Sequence, residues 1–388
     1  SKFLLNLLSN RKTMSKLPNA GTTIFSVMSK LAIETGAINL SQGFPNFPVD
    51  TVLTDIIKRK ADQNIHQYTP MQGSGELLTA VSGLIENSYT RKVNTDSELL
   101  ITAGATQGIF TTIMALIETG DEVIVLDPSY DCYEPAVILA GGIPIRIPLD
   151  LNFMPDWDLI ESKTNSKTKM IITNNPHNPS GRVWSESDFE ALETLLFKND
   201  QMLVLSDEVY EFITFDQKHL SANEREKLKN RSIITSSFGK SFHITGWKMG
   251  YVVAPEYLMT EIKKVHQFNV FSVNSVAQAC LAEYISKTDV STLGTFYKEK
   301  RNLFQQLLSN SKFKLDPCEG TYFQIADYSA VSSELDIDFC KTLTIKYGVA
   351  SIPVSVFSAN SQDNKKIRFC FAKDNDTLIN AADKLCKI

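Results

Sequence analysis

Short apolar runs rich in β-branched residues alternate with longer helical segments between residues 99 and 253. The segment from Ala105 to Ile117 has a helical pattern. The predicted strands are Leu99 to Thr102, Glu122 to Leu126, Met170 to Thr173, Met202 to Ser206, Ile233 to Ser236 and Gly250 to Val253. Such alternation predicts an α/β/α domain of three layers, in which helices cover both faces of a mostly parallel sheet. Ligands bind beyond the carboxyl ends of such strands.

A second, smaller α+β domain is predicted, since 388 residues are too many for one simple core. From about Ser275 the pattern changes to long helical stretches, followed by predicted strands at Glu319 to Ala326 and Lys366 to Ala372. The predicted limits are 40–280 for the large domain, and 14–39 with 281–388 for the small one.

Residues 1–13 are basic, apolar and free of acids. They read either as a leader, with mitochondrial targeting left open, or as a non-native extension before Met14. We otherwise expect a cytoplasmic protein. The net charge of −5 gives no reason to expect a nucleic acid or a membrane as partner.

No metal is expected. The six cysteines contain no C-x-x-C pair, and the five histidines show no metal-ligand spacing. Several cysteines lie in apolar runs, which favours buried, reduced thiols.

Lys240 lies between a serine-glycine turn and a glycine-aromatic turn, in the segment from Ser236 to Tyr251. A second cation, Lys248, follows eight residues later. Pyridoxal phosphate requires an amine that holds its aldehyde as a Schiff base, a nearby hydroxyl and a positive charge for its phosphate. A nucleotide-binding P-loop would need a glycine where Ile234 stands, so the alternative reading of this segment fails.

Gly104, Ala105 and Thr106 follow a predicted strand and open a helix. The free N–H groups and the dipole of a helix start bind anions, and small residues let a phosphate approach. An ordinary strand-to-helix turn has the same pattern.

Two further strand ends carry polar groups. Asn178 is flanked by prolines and is suited to a hydrogen bond with a ligand oxygen. The alternative is a turn that caps the next helix, but that helix has its own capping box at Ser185.

Asp207 ends an apolar strand, and a buried acid there requires a cation such as a pyridinium nitrogen. Tyr210 could bond the ring oxygen. A helix N-cap is the alternative for Asp207.

Tyr130 follows another strand end and could stack on a cofactor ring, or be a core tyrosine. Arg368 alternates with apolar residues in a predicted strand. Its guanidinium could bind a substrate carboxylate through two parallel hydrogen bonds, or protect an edge strand.

With these motifs the chain resembles the class I/II aminotransferases of the fold type I pyridoxal-phosphate enzymes, most closely the methionine aminotransferases and their kynurenine and glutamine transaminase relatives. The likeness runs from Leu17 to Ile388. Besides the Asn178, Asp207 and Lys240 motifs, it is carried by the segments Asn39 to Pro45, Gln67 to Gly73 and Cys318 to Phe323.

The resemblance implies a role for each matching residue. Lys240 would bind the cofactor aldehyde and then move the Cα proton. The cofactor would also be held by Asp207, Asn178, Tyr210, Tyr130, Ser237, Lys248, Gly104, Ala105 and Thr106. Arg368 would bind the substrate carboxylate with help from Asn178 and Gly43. Tyr68 would reach the phosphate of a partner subunit, which implies a homodimer with shared sites.

A second arginine, which relatives acting on dicarboxylic substrates place near the position of Asn269, is missing between His266 and Tyr297. The resemblance therefore implies a neutral amino donor. Methionine is favoured, with aromatic amino acids, glutamine or kynurenine as alternatives, because thioether sulfur packs well against aromatic rings. The aromatic residues expected to line the pocket are Phe25, Tyr68, Phe268 and Phe271.

The implied activity is transfer of an α-amino group to a 2-oxo acid by a ping-pong mechanism. A C–S β-lyase on the same fold is the nearest alternative. A ligand-sensing regulator would need a DNA-binding module before Leu17, where the chain leaves no room.

Overall fold

The computed structural model describes residues 14–388. Its strands are β1 (Ile38–Asn39), β2 (Leu99–Thr102), β3 (Glu122–Asp127), β4 (Ile143–Pro148), β5 (Thr168–Asn174), β6 (Leu203–Asp207), β7 (Ser232–Ser237), β8 (Gly250–Val253), β9 (Lys314–Leu315), β10 (Phe323–Asp327), β11 (Val349–Ala350), β12 (Ile352–Pro353) and β13 (Lys366–Cys370).

The helices are α1 (Ile24–Thr35), α2 (Thr51–Lys60), α3 (Gly75–Tyr89), α4 (Gly104–Leu116), α5 (Tyr133–Leu139), α6 (Trp157–Lys163), α7 (Glu186–Lys198), α8 (Phe238–Ser241), α9 (Glu256–Asn269), α10 (Ser275–Ile285), α11 (Thr292–Leu307), α12 (Asp336–Tyr347) and α13 (Asn375–Leu385).

Seven strands form the central sheet in the order β2-β8-β7-β6-β5-β3-β4. Strand β8 runs antiparallel to the other six strands of this sheet. The middle strands are buried on both faces, as Ile171, Ile172 and Val204 illustrate, and such strands are continuous apolar runs because helices cover both sides. The prediction of a mostly parallel sheet between helices is confirmed.

The parallel register brings polar strand ends together. Asn174 at the end of β5 pairs with Asp207 at the end of β6, and Asp207 in turn pairs with Thr235 of β7. The loops that follow these strands therefore leave the sheet at one edge, where ligands of such folds bind.

A separate apolar core lies around the antiparallel sheet β12-β13-β10-β9. Met28 from the N-terminal part and Phe339 from the C-terminal part both belong to it, and Phe339 stacks on Tyr328 with ring centroids 4.2 Å apart. Tyr210 and Ile213, from the middle of the chain, also pack into this core. The segment after β6, a strand of the central sheet, thus contributes to the core of the small sheet.

The sequence pattern missed one strand of the central sheet, β4. Pro144 and Pro148 lie within it, and proline cannot donate a hydrogen bond to a neighbouring strand. β4 tolerates them because it is the edge strand. Strand β10 also begins at Phe323, four residues later than predicted, and the two-residue strands were too short to show a period.

Among residues 14–388, no helix combines the length and the hydropathy that crossing a membrane requires. In the same range the histidine, cysteine and acidic side chains form no cluster of three that could hold a metal ion. Five of the cysteines are buried free thiols and Cys386 is exposed. The interpretation of residues 1–13 lies outside the described residues.

Two helical glycines should respond oppositely to alanine. At Gly294, in the first turn of α11, an added Cβ would lie 2.5 Å from the carbonyl oxygen of Thr214, whereas Gly83 in α3 has nothing within 4 Å of that position. Gly294→Ala should therefore lower the free energy of unfolding by about 1–3 kcal/mol through forced backbone movement. Gly83→Ala should raise it by about 0.5–1 kcal/mol because alanine favours the helix.

Chemical denaturation followed by circular dichroism measures both variants. Equal effects of the two substitutions would contradict the close contact between α11 and the segment after β6.

Candidate active site

A cavity with an empty volume of about 690 Å³, including its open mouth, lies beyond the carboxyl edge of the central sheet. The lining residues come from the starts of α4 and α8 and from the ends of β5 and β6, and they include Gly104, Ala105, Thr106, Tyr130, Asn174, Asn178, Asp207, Tyr210, Ser237, Lys240 and Lys248.

One end of the cavity is built to bind an anion. Helix α4 begins at Gly104 without a side-chain cap, so its first N–H groups have no capping partner. Gly104 has φ +81°, and an added Cβ would lie 3.3 Å from Nζ of Lys248. Ser237 precedes α8, which is also uncapped. The helix N–H groups, the hydroxyls of Thr106 and Ser237 and the Lys248 ammonium form a donor set suited to phosphate.

Asp207 lies at the deep end, where it is 3% exposed. The hydroxyl of Tyr133 donates a hydrogen bond to Oδ2 at 2.5 Å, and the N–H of Val209 donates to Oδ1 at 3.3 Å. Burial raises the pKa of Asp207 to about 6, an effect that these hydrogen bonds oppose. The carboxylate forms no ion pair with the described residues, so a cationic ring nitrogen would supply the missing charge.

Lys240 extends from α8 into the cavity. Its Nζ donates to the carbonyl oxygen of Gly43 at 3.2 Å and lies 5.8 Å from the ring centre of Tyr210 and 5.7 Å from that of Tyr322. Burial lowers the pKa of Lys240 to about 8. Near neutral pH a larger fraction of this amine is therefore neutral and nucleophilic than for an exposed lysine.

Arg368 of β13 crosses from the small sheet to the loop after β5. Its Nη1 donates to Oδ1 of Asn178 at 2.9 Å and its Nη2 to the carbonyl oxygen of Ser41 at 3.1 Å. The side chain is 1% exposed, and its Nε is buried without a partner in the part of the chain that the structure describes. The guanidinium also lies 3.9 Å above the ring of Phe323. A guanidinium in this position can bind a carboxylate by donating hydrogen bonds to it.

The aromatic residues of the site lie beside these groups. The Tyr130 hydroxyl is 3.3 Å from Oγ1 of Thr106, at the phosphate end. Tyr210 is 2% exposed and packs edge-on against Tyr322, and burial raises its pKa. Phe25 lies 5.4 Å below the guanidinium of Arg368.

Three residues predicted to line the substrate side-chain pocket, and Asn269 at the position of the missing second arginine, do not line the cavity of a single chain. Tyr68 and Phe268 are 84% and 86% exposed, and Phe271 packs edge-on against Tyr68 at 5.3 Å. Asn269 donates to Oγ1 of Thr111 at 2.9 Å. If these residues line a substrate pocket, it must be one that a second subunit helps to form.

Sequence reasoning missed three supporting residues. Tyr133 bonds Asp207, Tyr322 donates to the Gly43 carbonyl oxygen at 2.7 Å, and Asn174 accepts the N–H of Asn178 at 2.8 Å. Tyr133 comes three residues after Tyr130, but nothing in the sequence shows that its hydroxyl reaches β6. These contacts depend on the fold.

The donor set fits pyridoxal phosphate. The phosphate end, the unpaired buried carboxylate and the amine with a lowered pKa match its phosphate, its ring nitrogen and its aldehyde in turn. Each of these groups lines the one cavity.

Comparison with known proteins agrees with this chemistry. The profile of the family described as "Aminotransferase class I and II" matches residues 35–385. A methionine aminotransferase of Escherichia coli (strain K12) is 45% identical over 96% of this chain and 97% of its own length. Kynurenine–oxoglutarate transaminase 3 of Homo sapiens is 35% identical over 100% and 94% of the two chains.

A solved structure from Escherichia coli, whose study identifies a methionine aminotransferase function, superposes with a TM-score of 0.95 at 44% identity and covers 97% of this chain and 100% of that one. The predictions of fold, cofactor and reaction type are confirmed. The chain belongs to the class I and II aminotransferases, fold type I enzymes that use pyridoxal phosphate to move an amino group from an amino acid to a 2-oxo acid.

Proposed function

We propose that this enzyme is a homodimeric aminotransferase that prefers methionine as amino donor. The observation that carries the proposal is that Lys240 and Asp207 line one cavity, while Arg368 donates a hydrogen bond to Asn178, another of its lining residues. The described residues that line this cavity include no arginine that could bind a side-chain carboxylate. The similarity to a methionine aminotransferase over nearly the whole chain supports the same substrate.

Pyridoxal phosphate supplies a carbonyl carbon that accepts the amino group and a ring that withdraws electrons from the substrate Cα. Lys240 would hold the aldehyde and, as a free amine, would move the proton at the substrate Cα. Its lowered pKa favours both roles, because a general base works best with a pKa near the working pH.

Asp207 would keep the ring nitrogen protonated, and Tyr133 keeps Asp207 ionised by donating to its carboxylate. Asn178 and Tyr210 would bind the ring hydroxyl, and Tyr130 would lie against the ring. The start of α4, Ser237 and Lys248 would hold the phosphate.

Arg368 binds the α-carboxylate of the amino acid. Its buried Nε has no hydrogen-bond partner within residues 14–388, and its Nη1 already fixes Asn178 beside it. A carboxylate arriving at the cavity restores the charge balance of this buried cation, which favours binding. The peptide group of Gly43 assists at the same place.

The side chain of the donor is neutral in this proposal. Phe25 and Phe323 flank Arg368, and the exposed rings of Tyr68, Phe268 and Phe271 come from the partner subunit. Sulfur packs well against aromatic edges, which favours methionine. A side-chain carboxylate would lack a cation in this pocket.

The proposal includes the two-domain division at 40–280 against 14–39 and 281–388, and a cytoplasmic location. The division is supported by the separation of the apolar core around the small sheet from the two apolar cores that contain central-sheet residues.

The first test is the visible absorption spectrum of the purified protein with pyridoxal phosphate. The cofactor band should bleach on addition of methionine and return with a 2-oxo acid, whereas aspartate should bleach it at least about tenfold less efficiently, because the pocket offers its side-chain carboxylate no cation. Lys240→Ala should lack the lysine-bound band and turnover.

A band that ignores methionine but responds to other amino acids would retain the chemistry and overturn the substrate. Normal turnover by Lys240→Ala would overturn the role of the lysine.

Tyr133→Phe should move the acidic limb of the kcat/KM profile to higher pH. Burial raises the folded pKa of Asp207 and the hydrogen bond from Tyr133 lowers it, and activity is lost as pH falls through the pKa that this carboxylate has in the holoenzyme. Removing a donor to the carboxylate raises the pKa further. Tyr284→Phe is the matched control, since its hydroxyl donates to Asp50 at 2.7 Å in another part of the chain. An unchanged limb in Tyr133→Phe would remove Tyr133 from this role.

Tyr68→Phe should weaken cofactor binding by about tenfold to a hundredfold, the effect of one hydrogen bond to a charged group. The reason is that the exposed Tyr68 hydroxyl binds the partner's phosphate. Sedimentation equilibrium should give about twice the subunit mass of 43.4 kDa. Tyr257→Phe is the control, because that exposed hydroxyl bonds only to Asn230 within the described chain. A monomeric mass for the unaltered enzyme would contradict the homodimer. Unchanged cofactor affinity in Tyr68→Phe would contradict the shared site.

A further inference from the structure

The loop 355–359, between β12 and β13, is hydrogen-bonded to the large domain at the mouth of the active site. The N–H of Ala359 donates to Oδ2 of Asp127 at 2.8 Å. The carbonyl oxygen of Phe357 accepts the N–H of Ser129 at 2.9 Å and Nη2 of Arg146 at 3.0 Å. Asp127 is the last residue of β3, and Ser129 comes immediately before Tyr130. Backbone groups of the loop are thus bonded to two side chains and one backbone N–H of the large domain.

Arg146 of the edge strand β4 is the centre of these contacts. Its Nε donates to Oδ1 of Asp127 at 2.7 Å, its Nη2 to Oγ of Ser129 at 3.1 Å, and its Nη1 lies 3.1 Å from a carboxylate oxygen of Glu134. The side chain of Arg146 is 13% exposed and that of Asp127 is 6% exposed. Every nitrogen of the guanidinium is occupied, so this arginine is not available to bind a substrate carboxylate directly.

The loop carries Phe357, which is connected to Arg368 through Phe25. The ring of Phe357 is 5% exposed and lies 5.6 Å from the ring of Phe25. Phe25 in turn lies 5.4 Å from the guanidinium of Arg368. A chain of contacts therefore runs from Arg146 through Phe357 to the group proposed to bind the α-carboxylate. Displacement of the loop would remove the contact that Phe357 makes with Phe25, the ring beside Arg368.

We propose that Arg146 is a positioning residue that, with Asp127, latches the loop 355–359 onto the large domain and so sets the affinity for the amino acid. Arg146 contacts neither substrate nor cofactor; it acts through Phe357 and Phe25. The inference rests on the proposed role of Arg368. It predicts an effect on substrate binding that is separate from the chemical step, since the latch lies outside the set that holds the cofactor and moves the proton.

The test uses Arg146→Met in the holoenzyme, with Arg225→Met as matched control. Arg225 has a comparably buried side chain, 16% exposed, and also bonds two carboxylates, those of Glu193 and Glu186, far along the chain from the mouth. In single-turnover absorbance measurements, Arg146→Met should raise the apparent dissociation constant of methionine about tenfold or more, because small misplacements of binding groups are expensive. The maximal rate and the cofactor spectrum should change less than about twofold.

Hydrogen–deuterium exchange gives a readout independent of activity. The peptide containing residues 355–359 should exchange at least about tenfold faster in Arg146→Met without substrate, because Ala359 loses an ordered acceptor. Arg225→Met should leave both this exchange and the methionine constant unchanged. Equal methionine constants and equal exchange in the unaltered enzyme and Arg146→Met overturn the proposal, as does an equal effect of the two arginine variants.

Two further variants apply if Arg146→Met does not fold. Arg146→Lys keeps a bond to Asp127, but one ammonium cannot occupy the separate positions from which Nε and Nη2 donate, so it should show an intermediate methionine constant. Phe357→Leu should weaken methionine binding, and its effect should not add to that of Arg146→Lys, because both act on one contact. Full additivity overturns the latch. Turnover of methionine by the unaltered enzyme tests the proposed function separately, and the variant ratios are measured with whichever donor that enzyme accepts.

Discussion

Burial of the Asp207 carboxylate at the end of a central strand is the constraint on which the active site depends. A carboxylate removed from water must be paired or hydrogen-bonded. Tyr133 and the N–H of Val209 supply part of that stabilisation, and its pKa remains raised to about 6. The remaining demand for a positive partner suits a protonated ring nitrogen. The site is in this sense incomplete as protein alone, and the cofactor of the family satisfies it.

The second constraint is that the small antiparallel sheet must meet the central sheet beside the cavity that Asp207 lines. Arg368 comes from the small sheet, yet its guanidinium bonds Asn178 on the loop after β5. The loop 355–359 adds a second connection through Arg146 and Asp127. Both connections are charged groups buried beside the cavity, where hydrogen bonds are stronger than in water. The roles proposed for Arg368 and Arg146 therefore couple substrate affinity to the relative position of the two sheets through the same few side chains.

Several predictions from the sequence depended on local features. The alternation between residues 99 and 253 predicted six of the seven central strands, because buried parallel strands are apolar runs whatever their neighbours are. The capping box at Ser185 correctly marked the start of α7, and the N–H of Ser185 donates to Asp188 at 2.9 Å. Strand β4 was missed because its prolines are tolerated only at a sheet edge, and edge position is a tertiary property.

The sequence by itself determined the chemistry of the cavity: a lysine between two turns, an acid at a strand end and an uncapped helix start, since each needs only a few consecutive residues to be recognised. Only the tertiary structure decided how these groups are tuned. The lowered pKa of Lys240 follows from burial, and the hydrogen bonds from Tyr133 and Tyr322 join segments far apart in the chain. Burial and long-range contacts depend on packing, which has no local signature in the sequence.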